Sequence, residues 1–96
     1  MVYKEWCIPR IPRKISEEYI SNKMRDLNVG KVINVKNIVL KNQSEYCRSI
    51  IKMDCNTITD NYKFIDNYLK DERYFKLVYK FPDYWRIFPN LPQKQR

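Results

Sequence analysis

The sequence predicts an α+β sandwich, a four-stranded antiparallel sheet with two helices on one face. Three observations lead to it. Residues 46–53 alternate at the two-residue period of a strand, with Cys47, Ser49, Ile51 and Met53 on one face and Arg48, Ile50 and Lys52 on the other. Two segments, 16–28 and 57–72, open on hydroxyl residues suited to helix caps and continue with apolar residues at helical spacing. The remaining β-patterned runs complete the order strand, helix, strand, strand, helix, strand.

Each element has its own local reason. In residues 4–11, Lys4, Trp6 and Ile8 alternate with Glu5, Cys7 and Pro9, and the strand is expected to end near Pro9, because Pro9 and Pro12 each remove a ladder donor. Arg10, Arg13 and Lys14 then make a cationic connection, read either as a phosphate-contacting lip or as a solvated loop. Ser16 caps a helix over 17–28, Glu17 and Glu18 suit the positive end of its dipole, and Ile15 with Ile20 forms a hydrophobic staple. Ile20, Met24 and Leu27 continue the buried stripe, and Gly30 is the expected left-handed stop.

Residues 32–40 are rich in β-branched side chains and predict a second strand, irregular near Asn37. After the polar turn at 41–45 comes the strand 46–53, whose second face is cationic. Thr57, Thr59 and Asp60 hold the next cap signals, and Tyr62, Ile65 and Leu69, reinforced by Phe64 and Tyr68, supply the stripe of a second, acidic helix. Residues 74–81 predict a fourth strand with Phe75, Leu77, Tyr79 and Phe81 opposite Lys76, Val78 and Lys80. Residues 82–90 read as an aromatic loop or single turn, and 91–96 as a frayed tail. The expected core is Trp6, Ile8, Ile20, Met24, Leu27, Val32, Val35, Ile51, Met53, Ile65, Leu69, Phe75 and Leu77.

Ninety-six residues allow one domain, residues 1–90, with a single core. The 44% hydrophobic and 31% charged fractions exclude global disorder. A net charge of +8 favours polyanions: RNA, DNA, an acidic membrane or an acidic protein. No apolar run approaches the roughly 20 residues that span a bilayer, and the amino terminus lacks a signal-peptide core, so an intracellular, soluble chain is expected. Three cysteines without a CxxC pair, and no histidine, argue for reduced thiols and against a zinc site or other cofactor. Alanine is absent while Ile, Asn, Lys and Tyr abound, a skew toward AT-rich codons that carries no mechanism.

In this element order, a split βαβ arrangement of the ferredoxin-like βαββαβ kind, with its Leu27…Gly30-Lys31-Val32 helix-to-strand junction, the chain resembles the RNA recognition motif family over about residues 4–81. The resemblance implies single-stranded RNA held by aromatic rings on the two central strands. It places the two ring positions of the longer motif on Arg48 and Ile50 and that of the shorter motif on Cys7, so all three rings are missing. A guanidinium at Arg48 still offers a plane for stacking. The same alignment points Cys7 outward and Cys47 inward, which excludes a bridge between them and leaves Cys7 the more exposed thiol. The Pro82…Tyr84-Trp85…Pro89-Asn90 ending lies outside the family pattern; with the AT-rich composition it is similar to small degenerate proteins of this kind encoded by giant DNA viruses.

Two function classes follow. The first is a non-catalytic binder of single-stranded nucleic acid, RNA foremost, with Arg48, Lys52, Lys76 and Lys80 on the open sheet face and Arg10, Arg13 and Lys14 along its rim, working mainly through phosphate contacts. The alternative is a protein-interaction subunit of a larger complex, in which Cys7, Ile50 and Val78 form an apolar patch or Tyr84 and Trp85 insert into a partner; the bland reading of the aromatic ending is that it closes the core. An enzyme is not expected, because histidine is missing and a single glycine cannot build a phosphate-cradling loop. A membrane-surface role is not expected either, since neither helix is a basic amphipath.

Overall fold

A computed structural model describes residues 2–90; the tail expected over 91–96 lies outside them. The chain is α+β, with an antiparallel sheet and two helices: β1 (Val2–Pro12), α1 (Glu17–Asp26), β2 (Gly30–Val39), β3 (Tyr46–Cys55), α2 (Asp60–Glu72), β4 (Phe75–Lys80) and β5 (Asp83–Pro89). Among the described residues the sheet has five strands, in the order β2-β3-β1-β5-β4. The aromatic ending expected as a loop or single turn is therefore a strand. It pairs with β4 through Phe75↔Ile87 and Leu77↔Trp85, and with β1 through Cys7↔Phe88 and Trp6↔Pro89. Strand β4 is at the sheet edge, with β5 standing between it and β1. The physical reason is the hairpin: residues 83–89 alternate large apolar Trp85 and Ile87 with Tyr84, Arg86 and Phe88, and only a strand sends the two sets to opposite faces.

Inward residues of every strand meet both helices in one core. Trp6, Ile8 and Ile11 of β1, Val35 of β2, Cys47, Ile51, Met53 and Cys55 of β3, Phe75 and Leu77 of β4, and Trp85 and Ile87 of β5 are buried there with Ile20, Met24, Tyr62 and Ile65 of the helices. Leu27, Val32 and Leu69 pack against this core half-buried. Ring contacts seal the β4–β5 side: Tyr79 stacks on Trp85 at 4.4 Å between centroids, and Tyr19 of α1 meets Trp85 edge-on at 6.1 Å. Phe64 and Tyr68, expected to reinforce the α2 stripe, instead stack on each other outside the core, Phe64 being 70% exposed. At 3.6 residues per turn they stand one position away from the Tyr62–Ile65–Leu69 line, so they turn off the buried face.

The caps lie where their chemistry requires. Ser16 Oγ accepts from the Tyr19 N–H at 3.0 Å, and Thr59 Oγ1 accepts from the Tyr62 N–H at 3.2 Å. Helix α1 ends at Asp26, two residues early, and the left-handed residue after it is Asn28 (φ 58°), not Gly30. Glycine is needed at 30 for space: a Cβ there would strike the Asp54 carbonyl oxygen and lie 2.7 Å from Cys55 Cα. Strand β1 runs past Pro9 to Pro12, because the ladder to β3 shifts register between Ile8 and Ile11, where a missing donor does no harm. The irregularity of β2 falls between Val32 and Asn34 instead of at Asn37. Asn37 is a tie to α1: its N–H donates to Glu17 Oε2 at 2.8 Å and its side-chain amide to the Ile15 carbonyl at 3.0 Å.

Candidate nucleic-acid interface

Among the described residues no helix covers the outer face of the sheet, and strand register decides which side chains stand there. Tyr3, Glu5 and Cys7 of β1 lie beside Asp54, Lys52 and Ile50 of β3. Asn34, Lys36 and Ile38 of β2 pair with Lys52, Ile50 and Arg48. On the other side, Lys76 and Val78 of β4 pair with Arg86 and Tyr84 of β5. Arg48, Lys52 and Lys76 are thus on one surface, as expected from the sequence. Lys80 stands apart at the β4–β5 turn, opposite Asp83.

Arg10, Arg13 and Lys14 form a separate rim at the end of β1. Arg10 is part of the strand and lays its guanidinium over the Tyr46 ring at 4.1 Å. Arg13 donates to the Ser44 carbonyl at 3.4 Å, close to Glu45, whose carbonyl accepts from the Arg13 N–H at 2.9 Å. Lys14 is exposed in the same turn.

The centre of the face is a polar network. Arg48 Nη2 donates to Asn90 Oδ1 at 2.7 Å and lies 3.9 Å from Cys7 Sγ. Asn90 Nδ2 donates to Glu5 Oε2 at 2.7 Å, and the Tyr3 hydroxyl donates to Glu5 Oε1 at 3.1 Å. Desolvation, then the hydrogen bond and charge of Glu5, holds the Tyr3 phenol above its ordinary range. Beside this network a cleft of about 760 Å³ runs from Arg48 and Ile50 past Glu5 and Asn90 to Tyr62 and Leu69 of α2.

Cys7, expected to be the exposed thiol, is only 5% exposed. It does face outward, paired with Ile50, but Phe88 of the unexpected fifth strand lies opposite it and Arg48 reaches its sulfur. Cys47 faces inward and is buried as expected; all three cysteines are free. Burial pushes the Cys55 thiol up to about 11, with Lys4 opposing and Asp54 and Asp66 assisting. The patch expected from Cys7, Ile50 and Val78 is not contiguous, because Val78 pairs with Tyr84, four residues along β5 from the Phe88 that faces Cys7. Trp85, offered as a partner anchor, is 4% exposed beneath Tyr19 on the helix face, whereas Tyr84 lies on the open face at 39%.

The sequence reading missed Tyr74, Arg86, Phe88 and Asn90. They complete the β4–β5 half of the surface: Tyr74 lies against Phe88 at 5.3 Å, Arg86 over Tyr74 at 5.4 Å, and Lys76 over Tyr84 at 4.8 Å. The period-two alternation of residues 83–89 was the available signal. A hydrogen bond with Arg86, then the charges of Lys76 and Arg86, lower the Tyr84 phenol from its ordinary value. Among the described residues no group of His, Cys, Asp or Glu is arranged to hold a metal ion, and no helix is long and apolar enough to cross a membrane. No protein-family model, curated protein or solved structure matches this chain.

Proposed function

We propose that the chain is a non-catalytic, intracellular module of the ferredoxin-like, RNA-recognition-motif-like kind, which holds single-stranded nucleic acid, RNA foremost, on its open sheet face mainly through phosphates. The observation that carries the reading is the charge of that face. Lys36, Arg48, Lys52, Lys76 and Arg86 project from four strands of a surface that no described helix covers, against the carboxylates of Glu5 and Asp54, while Asp60, Asp66, Asp71 and Glu72 are gathered on α2. The neighbouring order β2-β3-β1 is that of a split βαβ core, and β5 occupies the place beside β1 where the fourth strand of that architecture would pair.

Phosphate contacts release counterions, so affinity for a single strand must fall with salt. Five neutralised phosphates give a log–log slope of about −3.5 by fluorescence anisotropy with a labelled oligouridylate. A slope near zero, or no binding at low salt, sinks the reading. A stoichiometric protein that copurifies and survives nuclease treatment, with no RNA lost, would favour the protein-interaction alternative instead.

A further inference from the structure

We infer that the β4–β5 hairpin carries a base-stacking subsite, in which the rings of Tyr84 and Phe88, spaced by Arg86, take unpaired bases of the strand whose phosphates the sheet face holds. The inference rests on the nucleic-acid reading above and specifies where the bases go. Three observations support it.

First, the rings point away from the core. Trp85 and Ile87 face inward and are buried, which by strand alternation sends Tyr84, Arg86 and Phe88 to the open face. Among the described residues no helix lies over them, and neither ring belongs to the buried cluster beneath the helices, Tyr84 being exposed and Phe88 half-buried beside Cys7. Second, spacing suits a single strand. Alternate residues on a strand are about 6.6 Å apart, so Tyr84 and Phe88 are rooted about 13 Å apart on β5, about two nucleotide steps of an extended strand, and Arg86, rooted between them, is a cation for the intervening phosphates.

Third, the rings are held in place by neighbours on β4 and just before it. Phe88 leans on Tyr74 at an interplanar angle of 30°, so its orientation is set before a ligand arrives. Lys76 Nζ sits 4.8 Å from the Tyr84 centroid, and Arg86 lies 5.4 Å from that of Tyr74. An arriving base has the same electron-poor claim on the ring face that Lys76 satisfies in the free protein, and the displaced ammonium is left beside the phosphate backbone.

Sequence-tolerant stacking of this kind requires unpaired bases and gives little to a duplex, whose bases are already stacked. The test is anisotropy with a labelled oligouridylate and an abasic oligonucleotide of equal length. The expected result is that the wild-type protein prefers the base-bearing strand, that Tyr84→Ala weakens that strand by about 5- to 150-fold and leaves the abasic one unchanged, and that Tyr84→Phe keeps wild-type affinity. Phe88→Leu, which retains an apolar contact with Tyr74, should repeat the loss without unfolding the hairpin. Equal affinity of the wild-type protein for both oligonucleotides, or an unaffected Tyr84→Ala, overturns the stacking subsite while the phosphate reading stands. Absence of binding to either oligonucleotide overturns both.

Discussion

Arg48 on β3 reaches across β1 to Asn90 at the end of β5, its Nη2 donating to Asn90 Oδ1 at 2.7 Å, and so ties together three adjacent strands. Asn90 is held from below as well, its N–H donating to the Glu5 carbonyl at 2.8 Å and its amide to the Glu5 carboxylate at 2.7 Å. Arg48 and Asn90 thus form a clasp across the centre of the open face.

The clasp predicts a coupling. Asn90→Ala removes the side-chain bonds to both Arg48 and Glu5, and since Arg48 is exposed the cost should be about 1 kcal/mol in urea unfolding. Arg48→Met should cost a similar amount, and the double variant less than the sum of the two, because the same hydrogen bond is lost in each. Strict additivity would show that the two side chains do not act as a pair.

Strand β5 predicts a contrast between its buried and turn positions. Ile87 is fully buried and Ile87→Ala should destabilise by about 2–5 kcal/mol, the range for deleting a large side chain from a core that cannot collapse. Phe81, 87% exposed in the preceding turn, should tolerate Phe81→Ser within about 0.5 kcal/mol. Urea midpoints decide it; equal effects at the two positions would mean that the hairpin is not docked on the core.

Tyr84 predicts an early phenol titration. A hydrogen bond with Arg86 and the positive charges of Lys76 and Arg86 favour the phenolate, so Tyr84 should ionise below the ordinary tyrosine range. Arg86, by the same contact, holds its proton to still higher pH. Ultraviolet absorbance titration should show the first tyrosinate to form vanish in Tyr84→Phe and move upward in Arg86→Gln. In the proposed subsite a phenolate repels phosphate, so oligouridylate binding should weaken as pH rises through this step and stay flatter in Tyr84→Phe.

Much of the architecture was legible because it depends on local chemistry. The cap at Ser16, the cap signals of Thr57, Thr59 and Asp60, of which Thr59 is the one used, the alternation of β3 and the Ile20–Met24 stripe are each decided within a few residues. Arg48, Lys52 and Lys76 were placed on the open face by period alone. What escaped was whatever needed a partner strand. A short alternating run between Pro82 and Pro89 reads equally as a strand or as a loop until the strand it pairs with is known, and with it went Arg86, Phe88, the burial of Cys7 and the capture of Arg48 by Asn90. Phe64 failed for a related reason, since apolar residues at neighbouring helical positions do not announce which of them faces the core.

The sequence by itself determined an α+β chain with capped helices, a strand with one apolar and one cationic face, and a charge that seeks polyanions, because dihedral preference, periodicity and net charge are written residue by residue. Tertiary structure alone decided that the described sheet has five strands, that β5 lies between β1 and β4, and that Tyr84, Arg86 and Phe88 join the open face. Those outcomes rest on backbone pairing between segments some 80 residues apart, Trp6 with Pro89 and Cys7 with Phe88, and no local pattern encodes which edge a strand will join.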